Sequence, residues 1–384
     1  MANSNQSNPI HDVAALEDVL SEPTQKTIDA MSSLTGDIVI LGVGGKMGPS
    51  LARMAKRASD LAGVSRRVIG VSRFSASTLP EKLHSWGVET HQCDLLDFKS
   101  YSQLPDAANI VYMAGMKFGS TGHQSLTWAM NAYLPGPVSE RYRNSRIAVF
   151  STGNVYGLST VNLGGSLETD PLRPVGDYAM SCVGRERIFE HFSRTESIKM
   201  TILRVYYSIE LRYGVLMDLA QLVLSGKPVP LAMGHFSAIW QGDAVAMSLQ
   251  SLAHVTSPPL VLNIAGPELL SVRRVAEKFG ELMEKPVRFE GVESGDALIC
   301  NSQKAMHLFG YPRTAVDQMM AGSPIGRCAA AKLWPSRRIS KIELEIFRGG
   351  RGGKETRCQN QASTHARRGD SRSSSGAYCR TTAG

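Results

Sequence analysis

A short glycine-rich segment between a buried strand and a helix constrains the fold of this chain more than any other feature. The apolar run Ile38–Leu41 predicts a strand, and Pro49 opens a segment whose apolar residues recur at helical spacing. Between them lie Gly42, Gly45 and Gly48 in G-x-x-G-x-x-G spacing, with Gly44 as an extra glycine. Such a unit binds a dinucleotide pyrophosphate, because the helix N-terminus offers free N–H groups to the anion. The same pattern also occurs as a plain connection.

Downstream of this turn, predicted strands and helices alternate as far as residue 205. Further strands are predicted at 67–72, 88–94, 110–114, 147–152 and 201–205 and, where the alternation loosens, at 235–240 and 260–264. Alternating strands and helices favour an α/β fold with a Rossmann-type, doubly wound parallel sheet. We assign 36–205, with 241–265 returning to it, to this nucleotide-binding domain. A small C-terminal substrate lobe, 206–240 and 266–315, is expected over the carboxyl edge of the sheet, where ligands bind.

The two ends of the chain differ from this body in composition. Residues 1–35 predict a polar leader with short helices at 13–20 and 24–34. Residues 321–384 hold 13 basic and 4 acidic residues, so the rest of the chain carries −1 of the total formal charge of +8. This basic tail is predicted to be disordered, because it cannot bury enough surface to offset its ordering entropy. It is either an RNA-binding Arg/Gly tail or an extension without function, and the neutral body offers nucleic acid no basic face.

Composition also limits the functional class. No run of about 18 apolar residues is present, which argues against a membrane span, and the polar N-terminus lacks the apolar core of a signal peptide. The six cysteines lie apart without C-x-x-C spacing, which is typical of free thiols in a reducing cytoplasm. His84, His91, His123 and His235 show no metal-ligand spacing. We therefore expect a cytoplasmic protein without a metal site.

Four further segments carry motifs in a fixed order along the chain. They are 93–97 (Cys-Asp-Leu-Leu-Asp), 111–115 (Val-Tyr-Met-Ala-Gly), 150–157 (Phe-Ser-Thr-Gly-Asn-Val-Tyr-Gly) and 240–243 (Trp-Gln-Gly-Asp). With the glycine turn, this set resembles the extended short-chain dehydrogenase/reductases of the NAD-dependent epimerase/dehydratase family, over roughly 37–315. The resemblance implies NAD(P) as cofactor. The residues expected to bind it are Gly42, Gly45, Lys46, Met47, Gly48, Ser72, Arg73, Asp94, Leu95, Ala114 and Gly115.

The resemblance also places a catalytic pair. Thr152, four residues before Tyr156, matches the catalytic hydroxyl of the family, and Tyr178 matches its catalytic tyrosine. A tyrosine hydroxyl can give or take the proton of a substrate alcohol or carbonyl while nicotinamide carries the hydride. The pKa of this tyrosine, near 10 when unperturbed, must fall for it to act as a base at neutral pH.

The chain departs from the family at the lysine that lowers this pKa. The family places lysine four residues after the tyrosine, whereas this chain has Cys182, which brings no positive charge. Arg185 lies seven residues after Tyr178, two turns along the same helix face, and can supply the missing charge. In the competing interpretation Arg185 is a solvated surface charge, and the proton transfer is weakened or lost.

Two further departures concern cofactor and substrate. NAD-preferring members place an acid after the second strand to bind the ribose 2′-hydroxyl. Ser72 and Arg73 stand there instead and suit a 2′-phosphate, so the sequence favours NADP(H). Epimerases of nucleotide sugars usually carry an asparagine after the segment matching 203–204, and this chain has Val-Tyr-Tyr at 205–207. That difference argues against a nucleotide-sugar substrate without excluding it.

We predict an NAD(P)-dependent oxidoreductase or epimerase acting on a hydroxyl or carbonyl group of a small, sugar-derived substrate. Tyr178 would be the acid/base, with Thr152 and Arg185 beside it. The alternative is a non-catalytic NAD(P)-binding regulator that kept the fold and lost the lysine, because fold analogy does not separate the two. An apolar stripe on the predicted helix 215–225 favours core packing over a partner surface, although the family often forms homodimers through helices of its sheet.

Overall fold

The structure, a computed structural model, describes residue 10 and residues 12–75, 78–117 and 122–322. The strands are β1 Ile38–Leu41, β2 Val68–Ser72, β3 Glu89–Gln92, β4 Asn109–Tyr112, β5 Arg146–Thr152, β6 Ser159–Thr160, β7 Met200–Val205, β8 Tyr207–Ile209, β9 Val229–Pro230, β10 His235–Phe236, β11 Ala238–Trp240, β12 Leu260–Ile264, β13 Leu270–Ser271, β14 Phe289–Glu290 and β15 Asp296–Ala297. The α-helices are α1 Val13–Leu20, α2 Gln25–Ser33, α3 Gly48–Leu61, α4 Thr78–Ser85, α5 Gln124–Trp128, α6 Pro135–Arg141, α7 Gly176–Glu196, α8 Val215–Leu224, α9 Gln241–Gln250, α10 Val272–Met283, α11 Gln303–Phe309 and α12 Val316–Gly322.

Seven strands form one parallel sheet in the order β12-β7-β5-β4-β1-β2-β3, which confirms the predicted Rossmann-type α/β fold. The register pairs Leu41 of β1 with Tyr112 of β4, and Tyr112 with Val149 of β5. Strands β1 and β4 are buried along their whole length, as expected for a parallel sheet that helices cover on both faces. Because the strands are parallel, the carboxyl ends of β1, β4 and β5 lie side by side at one edge.

The remaining strands are short and pair in twos: β10 with β13, β11 with β8, β14 with β9 and β15 with β6. The single strand that the sequence predicts at 235–240 is therefore two strands. It is interrupted at Ser237, whose backbone N–H donates to the carbonyl of Leu298 (3.3 Å). The apolar stripe of α8 is buried in one hydrophobic cluster with α10, as core packing requires.

The two helices of the predicted leader pack against the rest of the molecule. The side chains of Asp12 and Thr24 cap the N-termini of α1 and α2, as short polar residues at this position commonly do. Leu16 and Leu20 of α1 and Met31 of α2 are fully buried. The inner face of the leader therefore belongs to the hydrophobic core, while Val13 and Val19 remain exposed.

Most of the predicted disordered tail, residues 323–384, lies outside the described residues, as do residues 1–9. Within the described ranges, no helix is both long and apolar enough to cross a membrane. The same ranges contain no cluster of histidine, cysteine and acidic side chains that could hold a metal ion. Cys93, Cys182 and Cys300 are described, and all three are free thiols.

Candidate active site

The glycine turn after β1 is built around two contacts that leave no room for a side chain. Gly42 has a φ of +92°, and a Cβ there would lie 2.7 Å from the backbone nitrogen of Ala114. A Cβ on Gly48 would lie 2.1 Å from the carbonyl oxygen of Val43. These two glycines keep the turn tight and hold α3 close to the sheet, as a pyrophosphate-binding turn requires.

The middle glycines of the turn differ from their sequence-based interpretation. A Cβ on Gly45 would make only an ordinary contact, 3.5 Å from the carbonyl oxygen of Gly42. A Cβ on Gly44 would lie 2.5 Å from Ser72 Oγ at the end of β2. Gly44, which the motif spacing treats as extra, is therefore the more restricted of the two, and only the neighbouring strand explains why.

The start of α3 completes the turn. The helix begins at Gly48 with Pro49 in its first turn, and no side chain of the described residues caps it, since Met47 occupies the N-cap position. The Gly48 N–H donates to the Gly45 carbonyl (3.3 Å) and Pro49 has no N–H, so the helix start offers an anion chiefly the positive end of its dipole. Lys46 lies in the turn, with Nζ 4.3 Å from the ring centroid of Tyr213. Together these features fit a dinucleotide pyrophosphate.

The residues expected at the adenosine end lie just beyond β2 and β3. The Arg73 side chain is 67% exposed, and its Nη1 is 4.0 Å from Asp94 Oδ2. Asp94 Oδ1 also accepts a hydrogen bond from the backbone N–H of Leu96 (3.0 Å), which fixes the turn after β3. Leu95, between them, is buried. This end of the cleft therefore presents one exposed guanidinium beside one carboxylate.

At the catalytic end, the predicted pair comes together. Thr152 is the last residue of β5, and Tyr178 lies in the first turn of α7. The Tyr178 hydroxyl lies beside Thr152 and beside Cys182, one helical turn further on, and both side chains affect its pKa. Thr152 is itself held by Asn154, whose backbone N–H donates to Thr152 Oγ1 (3.3 Å). The thiol thus occupies the position at which the family has its lysine.

The protonation of this cluster follows from its burial. Burial raises the pKa of Tyr178 above its ordinary value, and the neighbouring Cys182 raises it further, whereas the charge of Arg185 lowers it. Burial likewise raises the pKa of the Cys182 thiol. Both groups are therefore protonated at neutral pH. The pKa of Tyr178 therefore does not fall in the way that base catalysis at neutral pH would require.

Arg185 is buried beneath the segment that follows β4. Its Nη1 donates to the carbonyl oxygen of Phe150 (2.9 Å) and its Nη2 to Asn131 Oδ1 (2.5 Å). A Cβ on Gly115 would lie 2.2 Å from Nη2, so glycine is required there. Both acceptors are neutral, and the guanidinium therefore keeps its full positive charge next to Tyr178. The interpretation of Arg185 as a solvated surface charge is wrong.

A second buried arginine nearby has a different environment. Arg204 of β7 pairs with Glu186 of α7 at 2.7 Å, and the two side chains are 6% and 4% exposed. Arg204 Nη1 also donates to the Tyr156 hydroxyl (2.5 Å). Glu186 neutralises this guanidinium within the core. Arg185 is hydrogen-bonded to neutral acceptors, whereas Arg204 forms a direct ion pair with Glu186.

Sequence reasoning missed Asn131, which lies on the π-helical turn Ala129–Tyr133. Besides accepting from Arg185, Asn131 Oδ1 accepts from the backbone N–H of Met116 (2.9 Å). Its Nδ2 donates to the Met116 carbonyl and to Ser181 Oγ, both at 3.0 Å. Asn131 thereby joins the end of β4 to α7. The available signal was one amide side chain in a predicted helical segment that is otherwise apolar at this point.

Tyr206, in the middle of the segment 205–207 that differs from nucleotide-sugar epimerases of the family, is a buried core residue. A Cβ on Gly153 would lie 2.4 Å from the Tyr206 ring, so the two residues are packed directly together. The Tyr206 hydroxyl donates to the carbonyl oxygen of Ile299 (3.3 Å). This side chain serves the packing of the lobe, and its hydroxyl is already hydrogen-bonded within it.

Comparison with known proteins gives a family and a set of similar folds. Residues 38–210 match the model of the NAD dependent epimerase/dehydratase family. No curated protein matches the chain. A UDP-glucuronic acid 4-epimerase from Bacillus cereus, solved with UDP-glucuronic acid and NAD, is 17% identical, with a TM-score of 0.64 over 76% of this chain and 99% of that one.

Two further structures have the same fold. A dTDP-glucose 4,6-dehydratase double mutant from Streptomyces venezuelae, with NAD and DAU bound, is 18% identical, with a TM-score of 0.65 over 77% of this chain and 98% of that one. A UDP-glucose 4-epimerase from Thermotoga maritima, solved with UDP-glucose, is also 18% identical, with a TM-score of 0.62 over 75% and 97%. At these identities the likeness concerns the fold.

Proposed function

Residues 38–210 belong to the NAD-dependent epimerase/dehydratase family, and from this premise we propose that the chain is an NAD(P)-dependent oxidoreductase or epimerase acting on a hydroxyl or carbonyl group of a sugar-derived molecule. The observation that carries the proposal is the meeting of two predicted sites at one edge of the sheet. The glycine turn follows β1, Thr152 ends β5, and β4 lies between these strands. Ligands of open α/β sheets bind at this edge.

The cofactor would lie along the carboxyl ends of β1, β2 and β4. We propose that the pyrophosphate is bound by the glycine turn and the start of α3, and that the residues around the cofactor are Gly42, Gly45, Lys46, Met47, Gly48, Ser72, Arg73, Asp94, Leu95, Ala114 and Gly115. When bound, NAD(P) would carry the hydride. The exposed guanidinium of Arg73 and the lack of an acid after β2 favour a 2′-phosphate, hence NADP(H), although two of the similar structures hold NAD.

Tyr178 and Thr152 would act on the substrate oxygen. Because the pKa of Tyr178 is raised by burial, its hydroxyl carries a proton at neutral pH and can give it to a substrate carbonyl oxygen as hydride reaches the carbon. Thr152, beside Tyr178, would hold that oxygen. This protonation state favours reduction of a carbonyl over oxidation of an alcohol at neutral pH.

Arg185 would supply the positive charge that the family obtains from lysine. Its guanidinium has neutral hydrogen-bond acceptors in Phe150 and Asn131, and its charge lowers the pKa of Tyr178 against the effect of burial. A fixed charge in a buried site stabilises developing negative charge without reorganisation. We therefore place Arg185 as a positioning and electrostatic residue that acts through Tyr178.

A second candidate function is a non-catalytic NAD(P)-binding regulator, and one observation favours it. Cys182 contributes no charge, and its contact with Tyr178 raises the pKa of the tyrosine further. If Arg185 fails to compensate, the tyrosine never transfers its proton at a useful rate. The cofactor would then bind and report the redox state of the cell without turnover.

Two measurements on the full chain separate these functions. Calorimetric titration with NADPH and NADH measures binding alone, with tighter NADPH binding expected. Hydrogen-isotope transfer between labelled cofactor and a panel of UDP-glucose, UDP-glucuronic acid and dTDP-glucose with their 4-keto derivatives measures hydride chemistry. Binding with transfer supports the enzyme. Binding without transfer to any substrate, at each pH between about 6 and 10, supports the regulator, and folded protein that binds neither cofactor contradicts both.

A further inference from the structure

Helices α1 and α2 precede the family match, which begins at Ile38, yet α1 contacts elements on both sides of the cofactor cleft. Leu16 and Leu20 belong to the hydrophobic cluster of the substrate lobe. On the other side, Asp18 forms an ion pair with Arg53 of α3 at 2.5 Å. An added helix therefore bridges the cofactor-binding helix and the lobe.

Glu17 of α1 is at the centre of this bridge. Its carboxylate pairs with Lys82 of α4 and, at 3.2 Å, with Nη1 of Arg212 in the lobe. The Glu17 side chain is only 12% exposed. Arg212 Nε is in turn 2.9 Å from Oε1 of Glu210, whose side chain is fully buried. The turn 210–213 is thus anchored on the side facing α1 by consecutive ion pairs.

The other side of the same turn contacts the glycine turn. Tyr213 lies under Lys46, with the Nζ atom 4.3 Å from its ring centroid. Its hydroxyl donates to Gln241 Oε1 (2.5 Å), and Gln241 Nε2 donates to Ser50 Oγ (3.1 Å) in the first turn of α3. Tyr213 therefore contacts Lys46, the only lysine of the glycine turn. Through Gln241 it is also linked to the start of α3.

We propose that α1 and the turn 210–213 form a clasp that positions Lys46 and the start of α3, and that this clasp sets how long the dinucleotide stays bound. Glu17, Arg212 and Tyr213 are its positioning residues. Without Glu17, the turn would lose its tie to α4, and the Tyr213 ring would no longer hold the Lys46 ammonium over the phosphate-binding turn. This inference rests on the proposed cofactor site.

The test measures dissociation of NADPH, or of whichever of NADPH and NADH binds tighter, by stopped-flow displacement from the full chain. Glu17→Gln should raise the dissociation rate up to about fivefold, the upper range for loss of a solvent-accessible ion pair. Tyr213→Phe keeps the ring under Lys46 and should have a smaller effect than Tyr213→Leu. The matched control, Asp60→Asn, removes the exposed Lys56–Asp60 pair on α3 and should leave the rate unchanged.

A double variant separates positioning from general destabilisation. Because the clasp acts through Lys46, Glu17→Gln should add little to the dissociation rate of Lys46→Met, whereas independent effects would multiply. Wild-type protein that binds no dinucleotide overturns the proposed function itself. Wild-type binding with an unchanged rate in Glu17→Gln, or full multiplication in the double variant, overturns the clasp alone.

Discussion

The two ends of the cleft follow the family pattern to different degrees. At the cofactor end the glycine turn is intact, and Gly42 and Gly48 are each fixed by a backbone contact that excludes a Cβ. At the proposed catalytic end, Tyr178 and Thr152 are present, but a thiol stands in place of the lysine, and the buried charge that lowers the pKa of Tyr178 comes from Arg185. In the proposed site, the binding half keeps the residue types of the family and the chemical half does not.

This difference shows that binding geometry and proton chemistry are constrained separately. A pyrophosphate-binding turn depends on a tight backbone, and at Gly42 and Gly48 only glycine fits that backbone. The electrostatics of a tyrosine depend on where a charge lies, and a buried guanidinium one turn further along α7 can provide it. Variants at one end should therefore change affinity, and variants at the other end should change turnover.

The largest effect is expected for Tyr178→Phe. Removing the hydroxyl deletes the proposed acid, so hydride transfer should fall about 100- to 10,000-fold, the usual contribution of a general acid or base. The cofactor dissociation constant should stay within about twofold. Isotope transfer and calorimetry measure the two quantities, with Tyr133→Phe, an exposed tyrosine, as the matched control. Equal losses in binding and transfer would contradict the separation of the two ends.

Gly42→Ala tests the opposite end. Its φ of +92° and its 2.7 Å approach to Ala114 predict both backbone strain and a steric clash. Strain of this kind costs about 1–3 kcal/mol, so NAD(P) affinity should fall about 10- to 100-fold. Gly63→Ala is the control, because Gly63 also has a positive φ (+67°) but no atom within 4 Å of its added Cβ. Similar affinity losses in both variants would assign the effect to stability alone.

The sequence predicts the fold almost completely and the site only in part. Apolar runs separated by helical periodicity locate all seven strands of the main sheet, because parallel strands are buried on both faces. The short strands of the lobe escape prediction, since two or three residues carry no periodicity. The predicted strand at 235–240 divides at Ser237 for a tertiary reason, its hydrogen bond to the Leu298 carbonyl.

Within the site, local motifs predict the residues but not their environments. The helical spacing from Tyr178 to Arg185 predicts a shared face, and it cannot tell a buried guanidinium from a solvated one. The buried guanidinium donates a hydrogen bond to Asn131, which lies 54 residues away in the sequence, and no local spacing predicts this contact. The pKa of Tyr178 is likewise raised mainly by burial, and residue spacing does not predict burial.

Arg185→Met should reduce turnover about 10- to 100-fold, because a nearby opposite charge stabilises an ionised group by about one to two pKa units, each a factor of ten. It should also raise the pKa of Tyr178 further, since the charge of Arg185 is what lowers it. Alcohol oxidation, which needs the deprotonated tyrosine, should therefore rise with pH in the wild type and begin its rise at higher pH in the variant. Arg185→Lys should restore part of the rate.

The control for this variant is Arg187→Met, which removes an exposed arginine of the same helix that pairs with Glu190. Its turnover and pH profile should match the wild type. Thermal unfolding is measured for both variants, because Arg185→Met leaves buried acceptors on Phe150 and Asn131. A pH profile that does not move in folded Arg185→Met would show that Arg185 is only structural.

Arg73→Ala should have a smaller effect, confined to cofactor choice. The guanidinium is 67% exposed and shares its charge with Asp94, so solvent screens its interaction with a phosphate. NADPH affinity should fall about fivefold, with NADH affinity unchanged. Arg67→Ala, at the other end of β2 and paired with Asp37, is the control. A loss of affinity for both cofactors would mean that Arg73 does not selectively bind the 2′-phosphate.

Cys182→Lys restores the family residue and should change turnover least. In the proposed enzyme Arg185 already supplies the charge, and a lysine beside it would place two like charges in a buried site, which disfavours both. The single variant should gain no activity. Gain of more than about tenfold would mean that the wild-type site lacks a working cation and would favour the regulator.

The sharper form of this experiment moves the charge instead of adding one. In Cys182→Lys combined with Arg185→Met, the site again holds a single cation, now at the family position one turn from Tyr178. If charge is what the tyrosine requires, this double variant should recover a large part of the turnover lost in Arg185→Met. Recovery would establish that the two positions are alternative solutions to one electrostatic requirement, and its absence in a folded double variant would restrict the role to the guanidinium of Arg185 and its bonds to Phe150 and Asn131.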